Sequence, residues 1–169
     1  SRLSERIIDV PVSVEFLDRQ SIANAPTPTF YDALENIKGL QMATVSLGFK
    51  VPNSRGFMNT TNVRFIQLVD GADNQAPHIG SPIANALGPN ELDIEQAELI
   101  PGVSSALYGM DALNGLLQLS TKSPFEHIGL SLYQRVGLTH VNTPLSAAQI
   151  NTETNLRWAQ KILKRWAYK

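Results

Sequence analysis

The sequence has no cysteine, almost no net charge and no long hydrophobic run. The absence of cysteine excludes disulfide bonds, thiolate metal sites and a cysteine nucleophile. A formal net charge of −1 argues against a nucleic-acid-binding protein, which normally carries a basic excess. No apolar run reaches the roughly 18 residues that a membrane-spanning helix requires. Hydrophobic residues still make up 43% of the 169 residues, so the chain can form a domain with a core.

Catalytic signatures are also missing. The P-loop, the Rossmann glycine fingerprint and the Gly-x-Ser-x-Gly nucleophile elbow do not occur in the sequence. The three histidines, His78, His127 and His140, lack the short spacing of a zinc site, so we expect no metal and no cofactor. Asp70 and Asp73 could serve as general acid and base, but aspartate before glycine at a strand end is typical of a turn. We therefore expect no enzyme, with a hydrolase that uses these aspartates as a minor alternative.

The first residues predict a strand followed by a short helix. Apolar and other side chains alternate over Val10–Phe16, which is the pattern of a half-buried strand. Asp18 is a candidate N-cap for a helix that reaches Ala25.

A second helix is the most clearly marked local element. Thr27 followed by Pro28 predicts its start, because threonine caps helices and proline suits the first helical position. Gly39 predicts its end, and a strand over 40–45 follows. The predicted apolar face of this second helix consists of Phe30, Leu34 and Ile37.

Two polar stretches, 46–62 and 72–89, have the composition of exposed loops. Between them, the apolar run 63–69 predicts a strand that ends in a turn at Asp70-Gly71. Two long loops are unusual in a small domain unless they are functional or packed against something. Asn90 then predicts the cap of a short helical turn.

The stretch Glu98–Lys122 is punctuated by glycines at 102, 109 and 115, which predict a strand, a tight turn and a second strand. Tyr108 in this turn is more typical of a packed side chain than of a catalytic phenol. Arg55, which follows a polar loop, is either a surface charge or one half of a buried or interfacial ion pair, for which arginine is well suited.

The C-terminal part changes pattern. Residues 128–139 alternate apolar and polar side chains, as in a transmembrane barrel strand or in the edge strand of a soluble sheet. Residues 152–169 fit either an amphipathic helix or a strand in which Trp166 and Tyr168 are interfacial aromatic residues. No signal-peptide pattern is visible at Ser1 and no breaker precedes Lys169, so we expect a piece of a longer chain.

Five motifs occur in a characteristic order. They are Val10-Pro11-Val12-Ser13-Val14, the segment Asp32–Leu40, Ser54-Arg55-Gly56-Phe57, Leu68-Val69-Asp70-Gly71, and Glu98–Gly109 with Ala112, Gly115 and Ser120-Thr121-Lys122. In this order they resemble the plug domain of TonB-dependent outer-membrane receptors, and the resemblance covers residues 10–141. Pro101-Gly102-Val103 departs from the Arg-Gly-Pro of many members, and Lys38 stands where proline usually precedes the glycine.

The resemblance implies an α/β (α+β) plug domain over residues 1–125. This plug would have a small mixed sheet of four to five strands, short helices and long apical loops. Residues 126–169 would be the first strands of a truncated transmembrane β-barrel.

The resemblance also implies a function in transport. The plug would lie within its own β-barrel domain in the bacterial outer membrane, bind a scarce nutrient such as a siderophore, cobalamin or glycan, and open through TonB. The sequence does not select the nutrient. The alternative is a soluble α/β protein-interaction domain with an amphipathic C-terminal helix.

Site residues are carried over from the same resemblance. Apical loops at 46–52 and 74–84 would contact the ligand, and Arg55 would contact the barrel. The expected ligand contacts are Phe49, Lys50, Asn74, Gln75 and His78. The expected structural positions of the plug motifs are Gly56, Asp70, Gly71, Gly102, Tyr108, Gly109, Gly115 and Lys122.

Overall fold

The computed structural model describes residues 14–25, 27, 29–46, 49–56, 58–78, 80–82, 88–102, 111–139 and 149–169. The chain divides into two compact units. The first, here called the sheet unit, comprises Ser1–Pro89 and Ile94–Thr121. The second, here called the hairpin unit, comprises Asn90–Asp93 and Lys122–Lys169.

The described helices and strands are numbered in chain order. The helices are α1 (Arg19–Ala23) and α2 (Phe30–Ala33), and 3₁₀ turns span Leu34–Asn36 and Glu91–Asp93. The strands are β1 (Glu15–Asp18), β2 (Leu40–Ser46), β3 (Phe49–Ser54), β4 (Phe65–Val69), β5 (Ala72–Asp73), β6 (Gln75–Ala76), β7 (Ser81–Pro82), β8 (Ile94–Pro101), β9 (Gly115–Thr121), β10 (Gly129–Thr139), β11 (Gln149–Leu163) and β12 (Trp166–Tyr168).

The sheet unit is built on a five-stranded sheet in the order β1-β8-β9-β4-β5. Strands β4 and β9 run parallel, and the other neighbours run antiparallel. The mixed sheet with short helices confirms the fold class implied by the resemblance. The first predicted strand is only partly described, since residues 10–13 lie outside the described ranges. Its buried face was predicted wrongly: Leu17 pairs with Ala97 and is buried, whereas Phe16 is exposed.

The core lies on the face of the sheet that α1 and α2 cover. Phe30, Leu34 and Ile37 are all buried there, as predicted. The predicted helix is shorter than expected, since α2 ends at Ala33 and Ile37 follows the 3₁₀ turn with extended backbone. The predicted cap Thr27 is wrong: Thr29 accepts a hydrogen bond from the Asp32 amide, and Asp32 in turn accepts one from the amide of Thr29. This reciprocal capping box starts the helix two residues later.

Glycine 39 closes a turn instead of capping the helix. The amide of Leu40 donates to the carbonyl oxygen of Ile37 at 3.1 Å, and Gly39 has φ +83°. A positive φ at the third position of a β-turn favours glycine, and proline is common at the second position, which Lys38 fills here.

Both long loops predicted from composition contain strands. β3 lies within 46–62 and pairs with β2, and its residues from Val51 to Ser54 are buried. β5 to β7 lie within 72–89, where β6 pairs with β7. Proline, asparagine and serine are poor strand formers, so composition concealed these short segments. The caps of the short helices at Asp18 and Asn90 are as predicted.

The hairpin unit is a three-stranded antiparallel sheet in the order β10-β11-β12. β10 and β11 pair over eleven residues, from Gly129↔Ala159 to Thr139↔Gln149. The C-terminal residues are therefore strands, and the amphipathic-helix alternative is wrong. One face of β10 and β11 is apolar and exposed: Leu130, Leu132, Val136, Leu138, Ile150, Leu156, Trp158 and Ile162.

Candidate functional site

The predicted ligand residues lie on two hairpins of the sheet unit. Phe49 and Lys50 begin β3 in the β2–β3 hairpin and are half-buried. Asn74 and Gln75 lie at the start of the β6–β7 hairpin, and His78 lies exposed in its turn. The predicted loop at 46–52 is therefore mostly strand, so Phe49 and Lys50 have fixed backbone positions.

Lys50 is held by a carboxylate. Its Nζ donates to Asp32 Oδ1, and the other oxygen of Asp32 accepts from the Thr29 amide at 3.1 Å. Burial alone would raise the pKa of Asp32, but hydrogen bonds from Lys50 and Thr29 outweigh burial and lower it. Asp32 thus joins the helix start to the β2–β3 hairpin, and any ligand that takes Lys50 has to share it with Asp32.

The β6–β7 hairpin is attached to β4 through its first residues. Gln75 Nε2 donates to the Phe65 carbonyl at 3.1 Å, and the Asn74 amide donates to the Gln67 carbonyl at 2.9 Å. These bonds give Asn74 and Gln75 a role in fixing the hairpin. His78, in the turn beyond them, is the exposed member of the set.

Arg55 lies against Gly102. Arg55 follows β3 with φ +54°, and Gly56 has φ +75°. A Cβ atom on Gly102 would overlap the Arg55 guanidinium, and Gly102 itself has φ +84°. The positive φ of Gly102 is what favours glycine here. The overlap involves the far end of the flexible Arg55 side chain, which would have to move aside. Arg55 lies exposed in a turn at the end of β3.

A buried cluster of amides joins three segments near Arg55. Asn114 Oδ1 accepts from the Ser54 amide at 3.0 Å and from Asn62 Nδ2 at 2.9 Å, and its own Nδ2 donates to the Ser54 carbonyl at 3.0 Å. Asn62 also donates to Asn53 Oδ1 at 2.8 Å, and that oxygen accepts from the Asn59 amide. Sequence reasoning missed this cluster, because asparagines in a polar stretch have no periodic signal.

The Asp70-Gly71 turn joins β4 to β5, as predicted. Val69 pairs with Ala72, so the turn has two residues, and both have positive φ, at 51° and 83°. Such values are typical of a type I′ hairpin turn. Asp70 also accepts a hydrogen bond from the amide of Thr121 at 2.8 Å, which ties the turn to the end of β9.

Gly115, at the start of β9, lies in a confined position. An added Cβ would lie 2.9 Å from Ser54 Oγ and 3.1 Å from Phe65 Cε2. The glycine therefore lets β9 approach the end of β3. Tyr108 and Gly109, the other expected structural positions, lie outside the described residues.

The hairpin unit has a charged cluster at Asp93. Its carboxylate pairs with Arg157 Nε at 2.6 Å and with Lys169 Nζ at 2.6 Å, and Arg157 is 6% exposed. Lys122, also buried, donates from Nζ to the Leu92 carbonyl and from its amide to the Asp93 carbonyl. These contacts fasten the segment Asn90–Asp93 to the strands that follow Lys122.

One pocket of about 540 Å³ opens beside the amide cluster. Its lining combines Met58, Asn59, Thr61, Asn62, Val63, Arg64, Leu113 and Asn114. Within the described ranges, no three potential metal ligands come together, and no helix is long and apolar enough to cross a membrane.

Solved structures of known receptors share this fold. The ferric enterobactin receptor of Pseudomonas aeruginosa, solved as a mutant, aligns with a TM-score of 0.60 and 18% identity over 95% of this chain and 24% of its own. The siderophore receptor PirA of the same organism aligns with a TM-score of 0.60 and 18% identity, over 92% of this chain and 26% of its own. The hemophore receptor HasR of Serratia marcescens, solved as a double mutant with HasA and heme, aligns with a TM-score of 0.60 and 18% identity. The alignment covers 78% of this chain and 21% of the receptor. This chain therefore spans about a quarter or less of the length of these receptors.

The family follows from a sequence profile. The profile of the TonB-dependent Receptor Plug Domain matches residues 6–116, which is more than half of the chain. The chain therefore belongs to the TonB-dependent receptor plug family, and it is part of a receptor rather than an enzyme. Among curated protein sequences, none matches significantly.

Proposed function

We propose that this chain is the gating and ligand-binding plug, with the first barrel strands, of an outer-membrane active transporter. Residues 1–125 are the plug, and 126–169 begin the transmembrane β-barrel. The plug occludes its own barrel, and energy transduced through TonB rearranges it. The cargo is a scarce nutrient: a siderophore, cobalamin, glycan or similar small ligand.

The observation that carries this proposal is the outer face of β10 and β11. Side chains of Leu132 and Leu156 pair across the strands and are 66% and 60% exposed, and Leu138 is 74% exposed. The opposite face contains the buried Arg157. Apolar side chains outside and polar ones inside, with a period of two, are the pattern of a strand whose outer face meets lipid.

The ligand site is proposed on the β2–β3 and β6–β7 hairpins. His78 and Phe49 are the primary contacts, because they lie at or near the hairpin ends. The hydrogen bonds of Lys50, Asn74 and Gln75 described above already hold the fold together. Lys50 contributes positive charge to the ligand site while its ammonium group stays paired with Asp32. The similar receptors for ferric enterobactin and heme make iron chelates the first ligands to test.

Arg55 is proposed as the contact with the barrel. Its backbone amide donates to the Gly39 carbonyl at 3.2 Å, and its guanidinium lies against Gly102. These contacts orient an exposed cation at the end of β3, where a barrel carboxylate could pair with it.

The test is uptake by cells that express the full-length receptor under iron limitation. We expect one ferric siderophore or heme source to support growth, and we expect deletion of TonB to abolish this growth. His78→Ala and Phe49→Ala should each weaken ligand binding about tenfold, a loss of roughly 1.4 kcal/mol. Phe16→Ala, which removes an exposed aromatic ring outside both hairpins, is the matched control.

Each part of the proposal can fail separately. Uptake that persists without TonB would refute the energy source. Equal affinity of the His78, Phe49 and Phe16 variants would refute the site while leaving transport intact. A receptor that remains in the soluble fraction would refute the membrane assignment.

A further inference from the structure

The turn between β11 and β12 concentrates positive charge. Leu163 pairs with Trp166, so the turn consists of Lys164 and Arg165. Residues 154–169 contain five basic residues and no acidic residue, although the whole chain has a net charge of −1. Two of the five, Arg157 and Lys169, share Asp93 as a partner. The charge that remains is thus centred on the turn.

Large apolar side chains flank this charge. Trp166 is 69% exposed, and Leu163 is 62% exposed. Trp158 and Tyr168 lie edge to face with ring centroids 5.4 Å apart, and Tyr168 donates from its hydroxyl to Gln160 at 2.8 Å. The apolar outer face of the hairpin therefore ends in aromatic rings, and one of them, Trp166, directly follows the two cations of the turn.

A basic turn that is simply hydrated is the ordinary alternative. It explains Lys164 and Arg165, but it leaves Trp166 and Leu163 in water, where each large apolar side chain is unfavourable. At a membrane surface the same four side chains are all satisfied. Amphipathic rings occupy the headgroup level, and long basic side chains extend towards the phosphates.

We infer that Lys164 and Arg165 bind the phosphate groups of acidic phospholipids, with Trp166 and Leu163 in the boundary between headgroups and acyl chains. The occupant is a membrane phospholipid with net negative charge, such as phosphatidylglycerol. Charge complementarity selects it, because a zwitterionic headgroup would leave the two cations uncompensated. This inference rests on the proposed placement of the hairpin in a membrane.

The experiment uses the full-length receptor, purified in detergent and mixed with equal amounts of phosphatidylglycerol and phosphatidylcholine. Native mass spectrometry counts the lipids that each receptor retains. We expect a preference for phosphatidylglycerol. We expect the double variant Lys164→Gln/Arg165→Gln to weaken the affinity for it ~30-fold. The matched control is Arg19→Gln/Lys38→Gln, which removes two exposed positive charges from the sheet unit.

A charge-preserving variant, Lys164→Arg/Arg165→Lys, should retain the lipid and so separates a lost lipid site from a disturbed turn. Retention that is equal in wild type and the double Gln variant overturns the inference. Displacement of the lipid by millimolar inorganic phosphate also overturns it, because the site would then bind free anions. Vesicle flotation distinguishes the underlying proposal: a receptor that inserts but shows no such preference loses only this inference, whereas one that does not insert loses both.

Discussion

Removal of the Asn114 side chain should destabilise the sheet unit much more than removal of the exposed Asn59 side chain. The Asn114 amide makes three hydrogen bonds at 2.9–3.0 Å, two of them to the backbone of Ser54 and one to Asn62. Ser54 is fully buried. Asn114→Ala leaves the Ser54 amide and the Ser54 carbonyl without these partners. Each orphaned buried group costs about 1–3 kcal/mol. Asn62 keeps its bond to Asn53.

For the two groups together, the expected loss in the free energy of unfolding is therefore about 2–6 kcal/mol. This is a large fraction of the 5–15 kcal/mol typical of a domain. Asn59→Ala is the matched control, since Asn59 is exposed and its side chain accepts only the Thr61 amide at 3.1 Å among the bonds described. Its loss should stay below about 1 kcal/mol.

The assay is urea unfolding of the chain in detergent, followed by far-ultraviolet circular dichroism. The two tryptophans of the chain, Trp158 and Trp166, both lie in the hairpin unit, so their emission is an internal control. Asn114→Ala should lower the midpoint seen by circular dichroism while the tryptophan transition stays in place. If Asn114→Ala and Asn59→Ala shift the midpoint equally, the amide cluster does not hold the sheet unit together.

Three further changes test other features. Gly102→Ala should lower the free energy of unfolding by about 1–3 kcal/mol, because alanine is strained at positive φ and its Cβ overlaps Arg55. Addition of Arg55→Ala should recover only the part of this loss that is due to the overlap. Full recovery would exclude backbone strain as a cause. Burial raises the pKa of Tyr31 to about 12, so its neutral form stabilises the fold below pH 10 and this contribution falls as the pH rises towards 12. Tyr31→Phe should therefore make the free energy of unfolding less dependent on pH above pH 10. An unchanged pH profile would contradict this. Asp93→Asn removes the partner of the buried Arg157 and should destabilise the hairpin unit by about 3 kcal/mol. The tryptophan transition should then occur at a lower urea concentration. An unchanged transition would mean that the ion pair contributes nothing to stability.

The features that sequence predicted are those with local signals. Alternation from 128 to 139 predicted β10, and the Asp70-Gly71 pair predicted the β4–β5 turn, because a period of two and a glycine after aspartate each depend on neighbouring residues only. The burial of Phe30, Leu34 and Ile37 was also predicted correctly. The cap was misplaced because Thr29 and Asp32 form a capping box with aspartate, where glutamate is the usual signature.

What sequence could not predict depends on contacts between distant segments. The end of β3 is held by Asn114, which lies 60 residues away, and nothing in its own composition marks it as a strand. The site shows the same division. His78 could be assigned to an exposed turn, but the pairing of Lys50 with Asp32 and the contact of Arg55 with Gly102 required the folded chain.

The two units follow opposite rules of burial, which bears on where the hairpin unit can be stable. In the sheet unit Phe65, Leu99 and Leu117 are fully buried, whereas in the hairpin unit Leu138 is 74% exposed and Arg157 is 6% exposed. A sheet of three strands with its apolar face in water has little to stabilise it. Each leucine-sized side chain that leaves water contributes about 1.5–3 kcal/mol, so an apolar solvent on the outer face supplies the missing stability. Both tryptophans of the chain lie in the hairpin unit. We therefore expect the tryptophan emission of the chain to shift to the blue on transfer from buffer to detergent. Equal emission in both solvents would contradict the assignment of that face to lipid.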